Sequence, residues 1–196
     1  MNTIPPSEVK PVELFDLVDT SRFTRRDDVA LLIPPGGIAV ELGVAEGIFS
    51  ERVLQRSAVG YLYSIDMYAG DRGHGVEQFG RAFARLQPHR ARNCLIRARF
   101  DEALTFFPDA SLDFVYVDGY AHTGEEDGQT IRDWYPKVKP GGILAGDDYS
   151  DYWPLVPVQV DAFVAENNLQ LHIINCKELG SIWSEEPTWF VRKPPQ

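Results

Sequence analysis

At roughly 150 residues per domain, a chain of 196 residues is one compact domain rather than a multidomain assembly. Its 44% hydrophobic and 24% charged residues match globular proteins, which excludes a disordered or fibrous chain. With 29 Asp and Glu against 19 Lys and Arg, the formal net charge is -10; nucleic acid and anionic membranes are gripped by clustered Lys and Arg, so neither is an expected partner.

The chain opens M-N-T-I-P-P-S-E-V-K, without a charged and apolar leader, and no apolar run reaches the roughly 18 residues that span a bilayer. These features predict a soluble, cytoplasmic protein. Residues 1–35 carry Pro5, Pro6, Pro11, Pro34 and Pro35 around a short amphipathic segment, 12–18, and read as an N-terminal helical lead-in capping a domain over 36–196. Cys94 and Cys176 lie far apart in apolar stretches and fit two unpaired core thiols, with no C-x-x-C spacing for zinc.

From Ile38 onward, short apolar runs alternate with helical-period segments. Strands are expected over 38–42, 61–65, 94–97, 112–117, 143–146, 171–175 and 189–192, and helices over 47–56, 76–87, 101–107, 125–135 and 156–166. P-K-V-K-P-G-G, 136–142, reads as the turn before the fifth strand. The alternation predicts an α/β fold, an open, doubly wound and mainly parallel seven-stranded sheet with helices on both faces and the last run inserted antiparallel.

In such sheets ligands lie beyond the carboxyl ends of the strands, where strand order reverses. The first such turn, V-E-L-G-V-A-E-G, sets Gly43 and Gly47 in a G-x-x-x-G spacing, whereas a dinucleotide site reads G-x-G-x-x-G. Glu41 and Glu46 flank it and would repel a pyrophosphate, so the loop suits a cation. S-adenosylmethionine (SAM) has the matching charges: a sulfonium, an amine and no phosphate. Asp66 follows the second strand, about 20 residues past the turn, where ribose hydroxyls are read, with Met67 beside it.

On these residues the chain resembles the class I SAM-dependent methyltransferases: E-L-G-V-A-E-G stands at the family's acidic-x-G-x-x-x-G turn and S-I-D at its ribose acid, and the likeness runs over about 36–193. It implies a Rossmann-like methyltransferase fold and SAM as cofactor, held by Glu41, Gly43, Gly47, Asp66, Met67, Phe100 and Asp118. The third loop, R-A-R-F-D-E-A-L, departs from the family, placing Arg99 or Phe100 near its adenine-binding acid. Phe100 either packs on the purine or belongs to the core, and Asp101 is expected to cap the next helix.

V-D-G-Y-A-H-T-G after the fourth strand and A-G-D-D-Y after the fifth should bring Asp118, Asp147 and Asp148 to one rim. Three such carboxylates need a proton or a cation between them, and an oxygen-only set points to a hard ion such as Mg2+. The pattern resembles small metal-dependent O-methyltransferases of natural-product pathways, macrocin-type and methyltransferase-domain-24-like, and by that resemblance Asp118, Asp147 and Asp148 are the metal ligands. Alternatively, Asp118 faces the sulfonium or the methionine amine, and one of the adjacent aspartates points away.

His122 is the candidate general base, or else a hydrogen-bonding surface residue; relatives read D-G-D-H, whereas here it stands four residues after Asp118. The N-P-P-Y signature of nitrogen methylation is missing from that loop. The expected function is methyl transfer to a hydroxyl of a small molecule, a divalent ion orienting and acidifying the acceptor. The alternatives are a metal-free enzyme with Asp118 or His122 as base, a nonenzymatic SAM-binding protein, and an NAD-linked oxidoreductase, which the G-x-x-x-G turn disfavours. Acceptor contacts are expected from the N-terminal segment, from 67–76 with Asp71 and His74, and from 149–157. There Tyr149, Tyr152 and Trp153 form either an acceptor wall, a lid or the contact of a homo-oligomer.

Overall fold

A computed structural model describes residues 18–70, 75–119, 126–176 and 186–195. The amphipathic segment up to residue 17, Asp71, His74 and His122 lie outside the described residues.

The apolar runs form β1 (Ile38–Leu42), β2 (Tyr61–Asp66), β3 (Asn93–Arg97), β4 (Leu112–Val117), β5 (Val138–Gly146), β6 (Leu171–Ile174) and β7 (Thr188–Arg192). They make one seven-stranded sheet in the order β3-β2-β1-β4-β5-β7-β6. β1 to β5 run parallel, and β7 inserts antiparallel between β5 and β6. The order reverses between β1 and β4, which places the crevice at their carboxyl ends.

Burial on both faces explains why the strands read as near-continuous apolar runs. One face sets Ala39, Phe114, Tyr116 and Phe190 against Phe49 and Val53 of α1 (Ile48–Arg56) and Ala82 and Leu86 of α2 (Val76–Leu86). The other sets Val40, Val115, Leu144 and Trp189 against Ala103 of α3 (Phe100–Ala103), Trp134 of α4 (Gln129–Trp134), and Val160 and Phe163 of α5 (Leu155–Glu166). Among the described residues no helix is long and apolar enough to cross a membrane.

Three boundaries differ from the sequence reading, each for a local reason. α4 starts only after Gly128, whose φ of +71° is left-handed, and Pro136 lies in the 3-10 turn Tyr135–Lys137 that follows it. The helix expected over 101–107 is one α-turn continued by the 3-10 turn Leu104–Phe106. P-K-V-K-P-G-G is largely strand: Gly141, at φ +81°, donates its N–H to the Lys193 carbonyl at 2.9 Å, while the Lys193 N–H returns to Gly142 at 2.9 Å. The register with β4 shifts between Leu112 and Phe114, so the glycines carry a bulge inside a continuous β5.

Before β1, Arg26–Leu32 forms a 3-10 helix that is buried almost throughout, and Val29, Ala30, Leu32 and Ile33 join the α1 side of the core. Its charged start is anchored by ions. Asp27, 0% exposed, meets Arg25, Arg52 and Arg56, the last two on α1. Asp28 meets Arg56 at 2.7 Å and accepts the backbone N–H groups of Thr24 and Arg25 at 2.9 Å. Removing one partner of a buried pair strands the other charge. Arg56→Ala, which leaves Arg25 and Arg52 near Asp27, is expected to lower unfolding free energy by about 2 kcal/mol in urea titrations.

Candidate active site

The crevice is built on backbone contact between the exits of β1 and β4. The Asp118 N–H donates to the Leu42 carbonyl at 2.7 Å, and the Gly43 N–H to the Ile65 carbonyl at 2.8 Å. Gly43 sits at φ +97°, and a β-carbon there would lie 1.5 Å from the Asp118 carbonyl oxygen. No other residue fits that position. One layer further out, a β-carbon on Gly119 would come within 2.7 Å of the Phe100 ring. Phe100 therefore packs against the β4 exit and joins the core on that face. Asp101 is not the cap of α3: Arg99 holds that position, and its guanidinium meets Asp101 at 2.9 Å.

Asp66 closes the glycine turn. One carboxylate oxygen accepts the N–H groups of Val44 and Ala45 at 3.0 and 3.1 Å, and the other accepts that of Tyr68 at 3.0 Å. Tyr68, buried, donates its hydroxyl back to the Ala45 carbonyl at 2.9 Å. Half-buried Met67 gives its carbonyl to Arg97 at 3.2 Å. The amides at the start of a strand-to-helix turn are those a dinucleotide's pyrophosphate would use. Here a resident carboxylate holds two of them.

The flanking glutamates are quieter than their formal charges. Glu46 pairs with Arg81 at 2.8 Å. Glu41 is buried and accepts a hydrogen bond from the Ser50 hydroxyl, which lies 2.8 Å from that of Ser64. Burial pushes its carboxyl up to about 8, so at neutral pH it is mostly protonated. The turn thus disfavours phosphate chiefly through Asp66 rather than through repulsion by Glu41 and Glu46.

Asp118 and Asp147 converge at the ends of β4 and β5 as expected, but around a residue absent from the sequence reading. Arg26 directs Nη2 to Asp118 Oδ2 and Nη1 to Asp147 Oδ2, the second at 2.8 Å. Its guanidinium carbon lies 4.8 Å from the Phe49 ring centre and 5.5 Å from that of Tyr116, rings stacked at 4.1 Å. The Thr188 hydroxyl donates to Asp147 Oδ1 at 3.1 Å. Burial pushes the Asp147 carboxyl up to about 7, against the pull of Arg26. Burial would strip the guanidinium of its charge, but Asp118 and Asp147 hold its pKa well above the usual value. Asp118 is the open member: its side chain is 22% exposed against 7% for Asp147 and 8% for Arg26.

Of the expected metal ligands, Asp118 and Asp147 meet a guanidinium here. The cation between Asp118 and Asp147 is that of Arg26, and Asp148, next along the chain, sits at φ +62°. Among the described residues no group of three or more His, Cys, Asp or Glu is placed to hold an ion. The only sequence signal for Arg26 is the charged run R-R-D-D ahead of an apolar stretch, V-A-L-L-I. Farther along, the Tyr149 hydroxyl donates to Asp161 at 2.7 Å, and Tyr152, 75% exposed, meets Trp153 edge-on at 5.2 Å. Cys94 and Cys176 are unpaired thiols.

Glu41 makes stability pH-dependent with a definite sign. Its ordinary value is 4.5 and its folded value about 8, so the folded state keeps a proton that the unfolded state releases. Its contribution is complete below about pH 4.5 and is lost as pH rises towards 8. Urea unfolding from pH 5 to 9 should show Glu41→Gln gaining on the parent at the alkaline end, by a few kcal/mol. Parallel curves would contradict this.

Residues 40–149, more than half of the chain, match the family described as methyltransferase domain. An uncharacterized protein of Sinorhizobium fredii is 30% identical over 118 residues, 56% of this chain, and the chain spans only 13% of that relative's length. An O-methyltransferase of Bacillus cereus solved in complex with SAH superposes with a TM-score of 0.63 at 13% identity, covering 90% of this chain and 82% of its own. An rRNA methylase of Streptococcus thermophilus gives 0.60 at 14% identity, covering 86% and 93%. A SAM-dependent O-methyltransferase of Thermotoga maritima gives 0.64 at 13%, covering 95% and 72%. At these identities the structural likenesses establish the fold, a Rossmann-like methyltransferase architecture. The matched segment contains Glu41, Gly43, Gly47, Asp66, Asp118 and Asp147 and starts after Arg26. The chain belongs to the methyltransferase-domain family.

Proposed function

We propose that the protein transfers the methyl group of SAM to a hydroxyl oxygen of a small molecule. The observation that carries the reading is the carboxylate of Asp66 on the Val44 and Ala45 amides, which leaves the switch-point turn suited to a donor without phosphate. Family membership implies the same donor. Asp66 stands at the exit of β2, where ribose hydroxyls are read in this topology.

The acceptor oxygen attacks the methyl carbon, the carbon–sulfur bond breaks, and its electron pair stays on sulfur as S-adenosylhomocysteine (SAH) is released. The sulfonium already activates the methyl group, so the protein's work is to align oxygen, carbon and sulfur and to take the hydroxyl proton. Asp118, the more open carboxylate at the β4 exit, is the proposed proton acceptor, with His122 four residues on as the alternative. Oxygen rather than base nitrogen is favoured by the loop sequence V-D-G-Y-A-H and by the net charge of -10, which disfavours the phosphate backbone of RNA. The structural neighbours include both O-methyltransferases and an rRNA methylase, so the choice of oxygen rests on the loop sequence and the charge.

Calorimetric titration should show one SAH site per chain and no binding of NAD+; NAD+ binding without SAH binding would overturn the reading. Asp66→Ala is expected to weaken SAH by about tenfold or more and to destabilise the turn, since three amides lose their acceptor. On a hydroxylated acceptor that turns over, Asp118→Asn should lower turnover on the order of 100-fold while SAH affinity stays within a few-fold. If His122→Ala does this instead, the proton acceptor is His122.

A further inference from the structure

We propose that Arg26 is the resident cation of this site, a guanidinium standing where a three-aspartate centre would hold a divalent ion, and that the protein binds no metal there. The inference goes beyond the methyl-transfer reading and does not depend on it, because its test needs neither donor nor acceptor.

Three observations carry it. Two different nitrogens of one guanidinium reach carboxylates on two adjacent strands, Asp118 after β4 and Asp147 after β5. A planar fork suits such bridging, which a lysine ammonium could serve only as a point charge. Next, the guanidinium is 4.8 Å from the Phe49 ring centre, and that ring stacks on Tyr116, which gives the cation an aromatic neighbour besides the carboxylates. Finally, Arg26 is not free to withdraw. The two following residues, Asp27 and Asp28, are themselves buried and tied to Arg56 of α1. A divalent ion entering beside it would set two cations together in a buried pocket, where repulsion is weakly screened.

Arg26 is thus a positioning residue. It fixes Asp118 at the mouth of the crevice, shares charge with the closed Asp147, and makes the segment before β1 part of the site. The family match begins only at Val40, so a divalent ion in a relative would not contradict the assignment.

The test is Mn2+ binding to the full chain, followed by the loss of the free-ion electron paramagnetic resonance signal and by thermal unfolding with MnCl2 or EDTA. The parent protein is expected to bind no Mn2+ and to unfold at the same temperature under both conditions. Arg26→Gln should unfold at a lower temperature and recover by several degrees in MnCl2, because the vacated dicarboxylate accepts the ion. Arg26→Gln combined with Asp147→Asn should lose that response, and Arg26→Lys, which keeps a charge, should not show it. A purely structural arginine would lower stability without creating a metal response. One Mn2+ bound per parent chain and abolished by Asp147→Asn would overturn the proposal, as would a folded Arg26→Gln protein indifferent to Mn2+. Should Arg26→Gln not fold, the titrations of the parent and of Arg26→Lys decide: no binding by either supports the proposal, and binding by the parent overturns it.

Discussion

One guanidinium shared between two carboxylates at neighbouring strand ends sets the character of this molecule. Asp118 and Asp147 lie where the sheet opens, and Asp147 is shut away from solvent. Two acids so placed cannot both ionise without a nearby positive charge. Arg26 supplies it from far along the chain, which obliges the segment before β1 to pack into the core. The rest of that segment follows: Asp27 and Asp28 are buried in turn and draw Arg52 and Arg56 of α1 to them. α1 is also the helix that leaves the glycine turn. The arginine clasp and the candidate donor site therefore share one element.

The acids around that turn have formal charges that mislead when counted. Glu41 keeps its proton at neutral pH because it is buried, and Glu46 is balanced by Arg81. Asp66 has turned inward to hold backbone amides. Asp118, at the β4 exit, is partly open and pairs with the Arg26 guanidinium. Such an arrangement discourages a diphosphate at the turn.

Much of the architecture was legible in the sequence because local patterns set it. The apolar runs at 38–42, 61–65 and 112–117 lie within strands, and the glycines of V-E-L-G-V-A-E-G mark the turn. Gly43 is required by contact with the Asp118 carbonyl, a demand that the motif spacing carries. β5 was less legible, since P-K-V-K-P-G-G has the composition of a turn and becomes strand through pairing with Leu112 of β4 on one side and Lys193 on the other. The convergence of Asp118 and Asp147 followed from strand adjacency, yet the cation between them did not. Arg26 lies 92 residues before Asp118, in a run whose charges look like a solvated face, and only tertiary packing brings it there. An aspartate after a strand also does not reveal whether it will turn to a ligand or to the chain's own amides, as Asp66 shows.

The most direct measurement is a crystal structure of the protein grown with SAH and MnCl2, with anomalous data collected for manganese. The account predicts SAH against Gly43–Gly47, the Arg26 guanidinium still between Asp118 and Asp147, and no manganese peak between those two carboxylates. A manganese peak there with Arg26 displaced, or SAH bound away from the glycine turn, would contradict it.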